Sequence, residues 1–270
     1  MIPNILSIAG SDPSGGAGIQ ADIKAISATG GYAMAVLAAL TAQNTQGVQG
    51  VHAVPPDFVA AQIAALRADI RIDAVKIGML GSAEVIAAVA GALEGLAAPV
   101  VLDPVMVAKS GDRLLEARAV AALRALLPRA TVITPNLPEA ADLLGRPEAT
   151  DTAAMEAQAR ALLDLGPGAV MLKGGHLPAS DCADLLADRQ GLHWLSGPRI
   201  QTTRTHGTGC TLSSALATFL GHGLPLPEAA RRAKLYIAGA IAAAGALEVG
   251  QGHGPTHHFH ARAPVEPDRP

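Results

Sequence analysis

Aromatic side chains make up only 2% of this 270-residue sequence, too few to lay out the stacking platforms that bind single-stranded nucleic acid. Cysteine is as scarce: Cys182 and Cys210 are the only two, which gives no disulfide framework and fits a reducing compartment. No apolar run approaches the roughly 18 residues of a membrane-crossing helix, and Met1–Leu6 lacks the basic segment and apolar stretch of an export signal, so the chain is expected in the cytoplasm. Neither sign of charge dominates. A formal net charge of −3 gives no general attraction for nucleic-acid backbones or anionic membranes, and any phosphate site has to be local. Several catalytic signatures are missing as well: no GxxxxGK followed by Ser or Thr, no GxSxG, no HExxH and no CxxC. Their absence sets aside P-loop kinases and the common hydrolase, zinc-protease and redox chemistries.

What the chain does have is aliphatic bulk. Half of it is hydrophobic, mostly Ala, Val, Leu and Ile, a mix suited to helices packed on buried parallel strands. Short β-type runs at Ile5–Ala9, Ala33–Leu40, Ala74–Ile77, Val100–Leu102, Val132–Thr134 and Ala169–Leu172 alternate with helical periodicity at Phe58–Ala68, Ala83–Leu93, Arg118–Leu127 and Ala153–Leu165. That rhythm predicts βαβ units in a three-layer α/β/α fold with a mainly parallel central sheet. Two runs around Asp188–Gly191 predict an edge hairpin, Gly207–Leu220 and Leu226–Leu247 predict a helical C-terminal layer, and the chain after Val249 reads as loop. With no linker or repeat, residues 1–270 are expected to form one domain.

Three segments carry chemistry. Gly10-Ser11-Asp12-Pro13-Ser14-Gly15-Gly16-Ala17-Gly18 follows the first strand and opens a helix; Gly16, Gly18 and Ala21 fit a loose GxGxxA dinucleotide pattern, but Leu40–Ala42 stand where its ribose-binding acid belongs. A glycine-rich turn without a ligand accounts for it as well. Thr205-His206-Gly207-Thr208-Gly209-Cys210 leads into another helix, where successive amides and the helix dipole converge on an anion. Cys210 at that helix start is expected to have a lowered pKa, which makes the thiol a candidate base or nucleophile. Thr134-Pro135-Asn136-Leu137-Pro138-Glu139 ends a strand and either caps a helix through Asn136 and Glu139 or, with Asp103 at the end of another strand, supplies oxygen to Mg²⁺ beside ATP phosphates. Lys173-Gly174-Gly175-His176 adds a cation at the same sheet edge. The histidines of His257-His258-Phe259-His260 read as a surface segment, with no metal assigned.

Taken together, these segments with Ala42-Gln43-Asn44-Thr45, Lys76-Ile77-Gly78-Met79-Leu80, Asp103-Pro104-Val105-Met106 and Lys109-Ser110-Gly111-Asp112 resemble the hydroxymethylpyrimidine and phosphomethylpyrimidine kinases of thiamine biosynthesis, within the ribokinase-like superfamily. The resemblance implies ATP-dependent phosphorylation of 4-amino-5-hydroxymethyl-2-methylpyrimidine and then of its monophosphate. It also implies that Gln43 reads the aminopyrimidine edge, with Gly10, Asp22 and Met79 around the same pocket. Gly207, Thr208 and Gly209 would form the anion hole, Cys210 would be the base, and Lys173 with Thr208 and Gly209 would hold ATP phosphates. Asp103, Glu139 and Asn136 would organise Mg²⁺, and a homodimer is expected on the same ground. The nearest rival is a pyridoxine or pyridoxal kinase. A dinucleotide-dependent oxidoreductase and a non-catalytic pyrimidine-binding regulator stand further off.

Overall fold

The computed structural model describes residues 1–106, 117–175, 177 and 182–262; Lys109-Ser110-Gly111-Asp112 and His176 lie outside them. Along the chain the elements are β1 (Asn4–Gly10), α1 (Gly18–Ala28), β2 (Tyr32–Asn44), β3 (Gly47–Ala53), α2 (Pro56–Asp69), β4 (Ala74–Ile77), α3 (Ala83–Ala92) and β5 (Val100–Leu102). There follow α4 (Ala117–Leu126), β6 (Val132–Ile133), α5 (Leu137–Leu144), α6 (Thr152–Leu163), β7 (Ala169–Leu172), β8 (Asp184–Asp188), β9 (Gly191–Leu195), α7 (Thr208–Gly221) and α8 (Leu226–Ala242). The strands form one sheet in the order β3-β2-β1-β4-β5-β6-β7-β8-β9. Its centre, from β2 to β7, is parallel, and β3, β8 and β9 add antiparallel edges.

Alternation along the strands sorts side chains between the two faces. In β1, Leu6 and Ile8 join the core under α2–α6, while Ile5 packs toward α1, α7 and α8. In β4, Val75 and Ile77 follow the first face and Ala74 the second. The result is the expected three-layer α/β/α arrangement. The hairpin at Asp188–Gly191 is present, its turn held by Asp188 Oδ1, which accepts from the amides of Gln190 and Gly191.

Two regions differ from the sequence reading. β2 runs four residues past Leu40 and pairs with β3, which the sequence reading does not contain. The pair forms an arm closed by a turn in which Asn44 Oδ1 accepts from the amides of Gln46 and Gly47. The C-terminal histidines are not a surface segment. Thr256 is fully buried and His258 is 5% exposed; His258 Nε2 lies 3.0 Å from Thr211 Oγ1, and Tyr236 donates to the His258 carbonyl. Among the described residues no helix is long and apolar enough to cross a membrane.

Candidate active site

The C-terminal ends of β1, β4, β5, β6 and β7 deliver Gly10, Met79, Asp103, Asn136 and Lys173 to one edge of the sheet, where open α/β folds gather ligands. There they line a cleft of about 900 Å³, together with Gln43 of the arm, Glu139, Gly207, Thr208, Gly209 and Cys210. That volume lies at the upper end of ordinary ligand sites. Gly10 and Met79 meet directly, since the Gly10 amide donates to the Met79 carbonyl at 3.0 Å.

The glycine-rich start of α7 turns amides that are unpaired among the described residues toward the cleft. Gly207 is its N-cap with φ 76°, a left-handed conformation, and a Cβ there would lie 1.7 Å from the Gly16 carbonyl oxygen. Only glycine fits on both counts. The amides of Gly207, Gly209 and Cys210 have no acceptor in the chain among the described residues, whereas Thr208 turns its hydroxyl back to the Thr205 carbonyl at 2.7 Å. Unsatisfied donors at a helix N-terminus favour an anionic oxygen. Facing them, a Cβ on Gly209 would lie 3.2 Å from Asp103 Oδ2 and 3.3 Å from Lys173 Nζ.

Lys173 Nζ is 3.0 Å from Asp103 Oδ1 and 3.8 Å from Glu139 Oε2. Burial alone would lower its pKa, but the two carboxylates outweigh that and hold the ammonium above its ordinary value. Thr134 Oγ1 also donates to Asp103 Oδ1 at 2.9 Å. Burial pushes the Glu139 carboxyl up to about 7, against the pull of Lys173 and with a further push from Asp103. Asn136 lines the cleft, but its side-chain oxygen accepts from the Glu139 amide while Glu139 Oε2 accepts from the Asn136 amide, a complete capping box. That oxygen therefore already serves the start of α5, which leaves one lone pair for a cation.

Cys210 sits where the starts of α1 and α7 converge, with the Gly18 amide directed at its sulfur. The expected lowering of its pKa does not survive: burial pushes the thiol up to about 11, helped by the Asp22 and Asp103 charges and opposed by Lys76 and the Gly18 amide. At this thiol desolvation outweighs the stabilisation expected from its helix-start position. Asp22 is likewise not a pocket residue. It is fully buried behind the cleft, where it accepts from Lys76 Nζ at 2.8 and 2.9 Å, from Ser7 Oγ at 2.6 Å and from Ser214 Oγ at 2.8 Å. Lys76 is fully buried too, and Ser7 stands opposite it in the β1–β4 register.

The sequence reading missed a second link. His206 Nε2 lies 2.7 Å from Asp12 Oδ2, and Asp12 also accepts from Ser14 and from the Ala17 amide, so the first glycine-rich loop is fastened to the anion loop 194 residues away. Burial would raise the Asp12 carboxyl, but these hydrogen bonds outweigh it and hold it below its ordinary value. The His206 amide in turn donates to the Gly254 carbonyl, and the amides of Gly252 and His253 donate to Thr45 at the tip of the arm. Asp12 and His206 both stood inside the quoted motifs. Their pairing is a tertiary fact that no local spacing contains.

A parallel sheet with antiparallel edges and a glycine-rich helix start facing a lysine and carboxylates across one cleft defines a ribokinase-like α/β fold. The profile of the phosphomethylpyrimidine kinase family matches residues 12–257, and the chain belongs to that family. It is 53% identical over 260 residues to the hydroxymethylpyrimidine/phosphomethylpyrimidine kinase of Escherichia coli, covering 96% of this chain and 98% of that one. Among solved structures it is similar to a Bacillus subtilis pyridoxal kinase in complex with ADP (37% identity, TM-score 0.89, 97% and 99% covered). A phosphomethylpyrimidine kinase from Clostridium difficile is also similar (41% identity, TM-score 0.79, 88% and 99% covered).

Proposed function

We propose that this protein transfers the γ-phosphoryl group of ATP to the hydroxymethyl oxygen of 4-amino-5-hydroxymethyl-2-methylpyrimidine, and then a second phosphoryl group to the resulting monophosphate. The observation that carries this reading is the convergence, in one cleft, of the free amides of Gly207, Gly209 and Cys210 with Lys173 and Asp103 on one side and the Gln43 carboxamide on the other. Phosphoryl transfer needs positioning and charge neutralisation more than covalent chemistry. The amides and Lys173 supply both for the transferred group. Cys210, which lines the same cleft, would take the hydroxymethyl proton. With its thiol pushed up to about 11 it acts through its minor thiolate form, so the first transfer should speed up as pH rises through neutrality.

Mg²⁺ fits the carboxylates present. Among the described residues no three His, Cys, Asp or Glu side chains are grouped to cage a metal, and Mg²⁺ beside ATP uses one or two carboxylates, phosphate oxygens and water. Asp103 and Glu139 would hold it, and its contribution would be to neutralise charge on the phosphates. A homodimer is part of the proposal, since β3 is an unpaired edge among the described strands and Leu40 and Val51 are exposed on the arm. The pyridoxal kinase reading is favoured only by the likeness to such enzymes. A coupled ATP assay run in parallel with the aminopyrimidine and with pyridoxal, with the products separated, tests the proposal. Mono- and diphosphate from the pyrimidine are expected; turnover of pyridoxal alone would refute it.

A further inference from the structure

Gln43 and Thr41 share one face of the β2–β3 arm, and their side chains meet: Thr41 Oγ1 lies 3.2 Å from Gln43 Oε1. The same hydroxyl lies 3.0 Å from the Ser11 carbonyl oxygen, and the Thr41 amide donates to Ser11 Oγ at 3.1 Å. A hydroxyl has a single hydrogen. Its closer acceptor is the Ser11 carbonyl, which has no other donor among the described residues. An amide oxygen facing that hydroxyl is then an acceptor facing an acceptor. Turning the carboxamide by half a turn resolves the conflict: Nε2 donates one hydrogen to Thr41 Oγ1, and Oε1 swings to the cleft that Gln43 lines.

We infer that Thr41, anchored on Ser11, sets the polarity of the Gln43 carboxamide so that the cleft is offered an acceptor beside one remaining N–H donor, which makes Thr41 a specificity-determining residue. This rests on the reading of Gln43 as the residue that meets the heterocycle's edge. A 4-aminopyrimidine presents the complement, an exocyclic amine donor next to a ring-nitrogen acceptor. The 4-oxo analogue presents the reverse, a carbonyl acceptor next to a ring N–H, and a carboxamide held in one orientation leaves both of its contacts unmatched.

The test compares equilibrium binding of the 4-amino compound and its 4-oxo analogue to the wild-type protein and to Thr41→Val, Thr41→Ser and Gln43→Ala. Wild type should prefer the amino compound by about ten- to a hundredfold, the cost of leaving buried polar groups unpaired. Thr41→Val, which frees the carboxamide to turn, should narrow that ratio by about fivefold or more while leaving ATP affinity unchanged, and Thr41→Ser should restore it. A ratio near one in wild type, which needs no variant to fold, would overturn the inference, as would an unchanged ratio in Thr41→Val. If instead Gln43→Ala binds the amino compound as tightly as wild type, the reading of Gln43 itself fails, and the two failures are distinct.

Discussion

Replacing Glu139 with Gln should make the protein more stable, and more so the higher the pH. Glu139 is 7% exposed, and its carboxyl is raised from 4.5 to about 7 chiefly by burial. A group whose folded pKa lies above its unfolded one favours the fold while protonated. That contribution is complete below about pH 4.5 and is lost as pH rises through about 7. At pH 8 the displacement is worth about 3 kcal/mol, most of it lost between pH 5 and 8. Gln keeps an oxygen to accept from the Asn136 amide, so the capping box survives while the buried charge does not. Urea unfolding of both proteins at pH 5, 6, 7 and 8 cancels every titration they share. The gap should widen by about 2 kcal/mol or more across that range. A gap that stays constant with pH would refute the argument, because Glu139 would then titrate alike in the folded and unfolded chain. The same ionisation governs metal binding: Mg²⁺ should bind wild type more tightly above pH 7 than below it, and Glu139→Gln should flatten that dependence.

Three further outcomes are expected. Gly207→Ala places a Cβ against the Gly16 carbonyl at a left-handed φ, and should abolish turnover and lower the thermal midpoint; a variant with wild-type kinetics would remove Gly207 from the anion site. Lys173→Ala and Asp103→Asn should each lower kcat at saturating ATP and Mg²⁺ with little change in pyrimidine affinity, read by separate titrations, and a normal kcat in either excludes that residue. Cys210→Ala should slow the first phosphorylation by roughly 10²- to 10⁴-fold and remove its rise with pH, while slowing the second much less; equal losses in both steps would make the thiol a lining residue and no base.

The strands under the cleft were legible because each is a short aliphatic run ended by a residue that cannot continue it, such as Gly10, Asp103 or Lys173. The same interruptions mark the site, since a polar residue at a buried strand's end costs stability unless it meets something. The arm was not legible beyond Leu40, because the rest of β2 and all of β3 lie outside the packed core and carry Thr, Gln, Asn and Gly in place of an apolar face. Lys76 was readable as an anomaly, a charge inside the apolar strand Ala74–Ile77 that requires a buried partner. What could not be read was which acid answers it. Asp22 serves because α1 lays it over Ser7 and Lys76, and that lying-over turned a pocket candidate into a support. Cys210 shows the same limit from the other side. Its place at the helix start was evident, but the burial that overrides it is a product of tertiary packing.

The two proposed acceptors make unequal demands on this cleft. A hydroxymethyl group gives up its proton far above neutrality and needs a base, whereas a phosphate monoester is largely ionised at pH 7 and needs none. On that proposal the amides at the start of α7 and Lys173 would act on the transferred group in both cases, and a thiol pushed up to about 11 by burial would limit only the first. Moving from one acceptor to the other would also require the ring to sit back by the length of one phosphoryl group if the start of α7 keeps its place, and there Gly207 packs closely on Gly16 and His206 is fastened to Asp12. On the other side of the cleft stands the arm carrying Gln43. It projects past the sheet and is tied down by Thr41 on Ser11 and by the 252–253 segment on Thr45. With both sides of the cleft held by such contacts, a site that phosphorylates a substrate and then its own product would have to take the longer acceptor within the space the cleft already has.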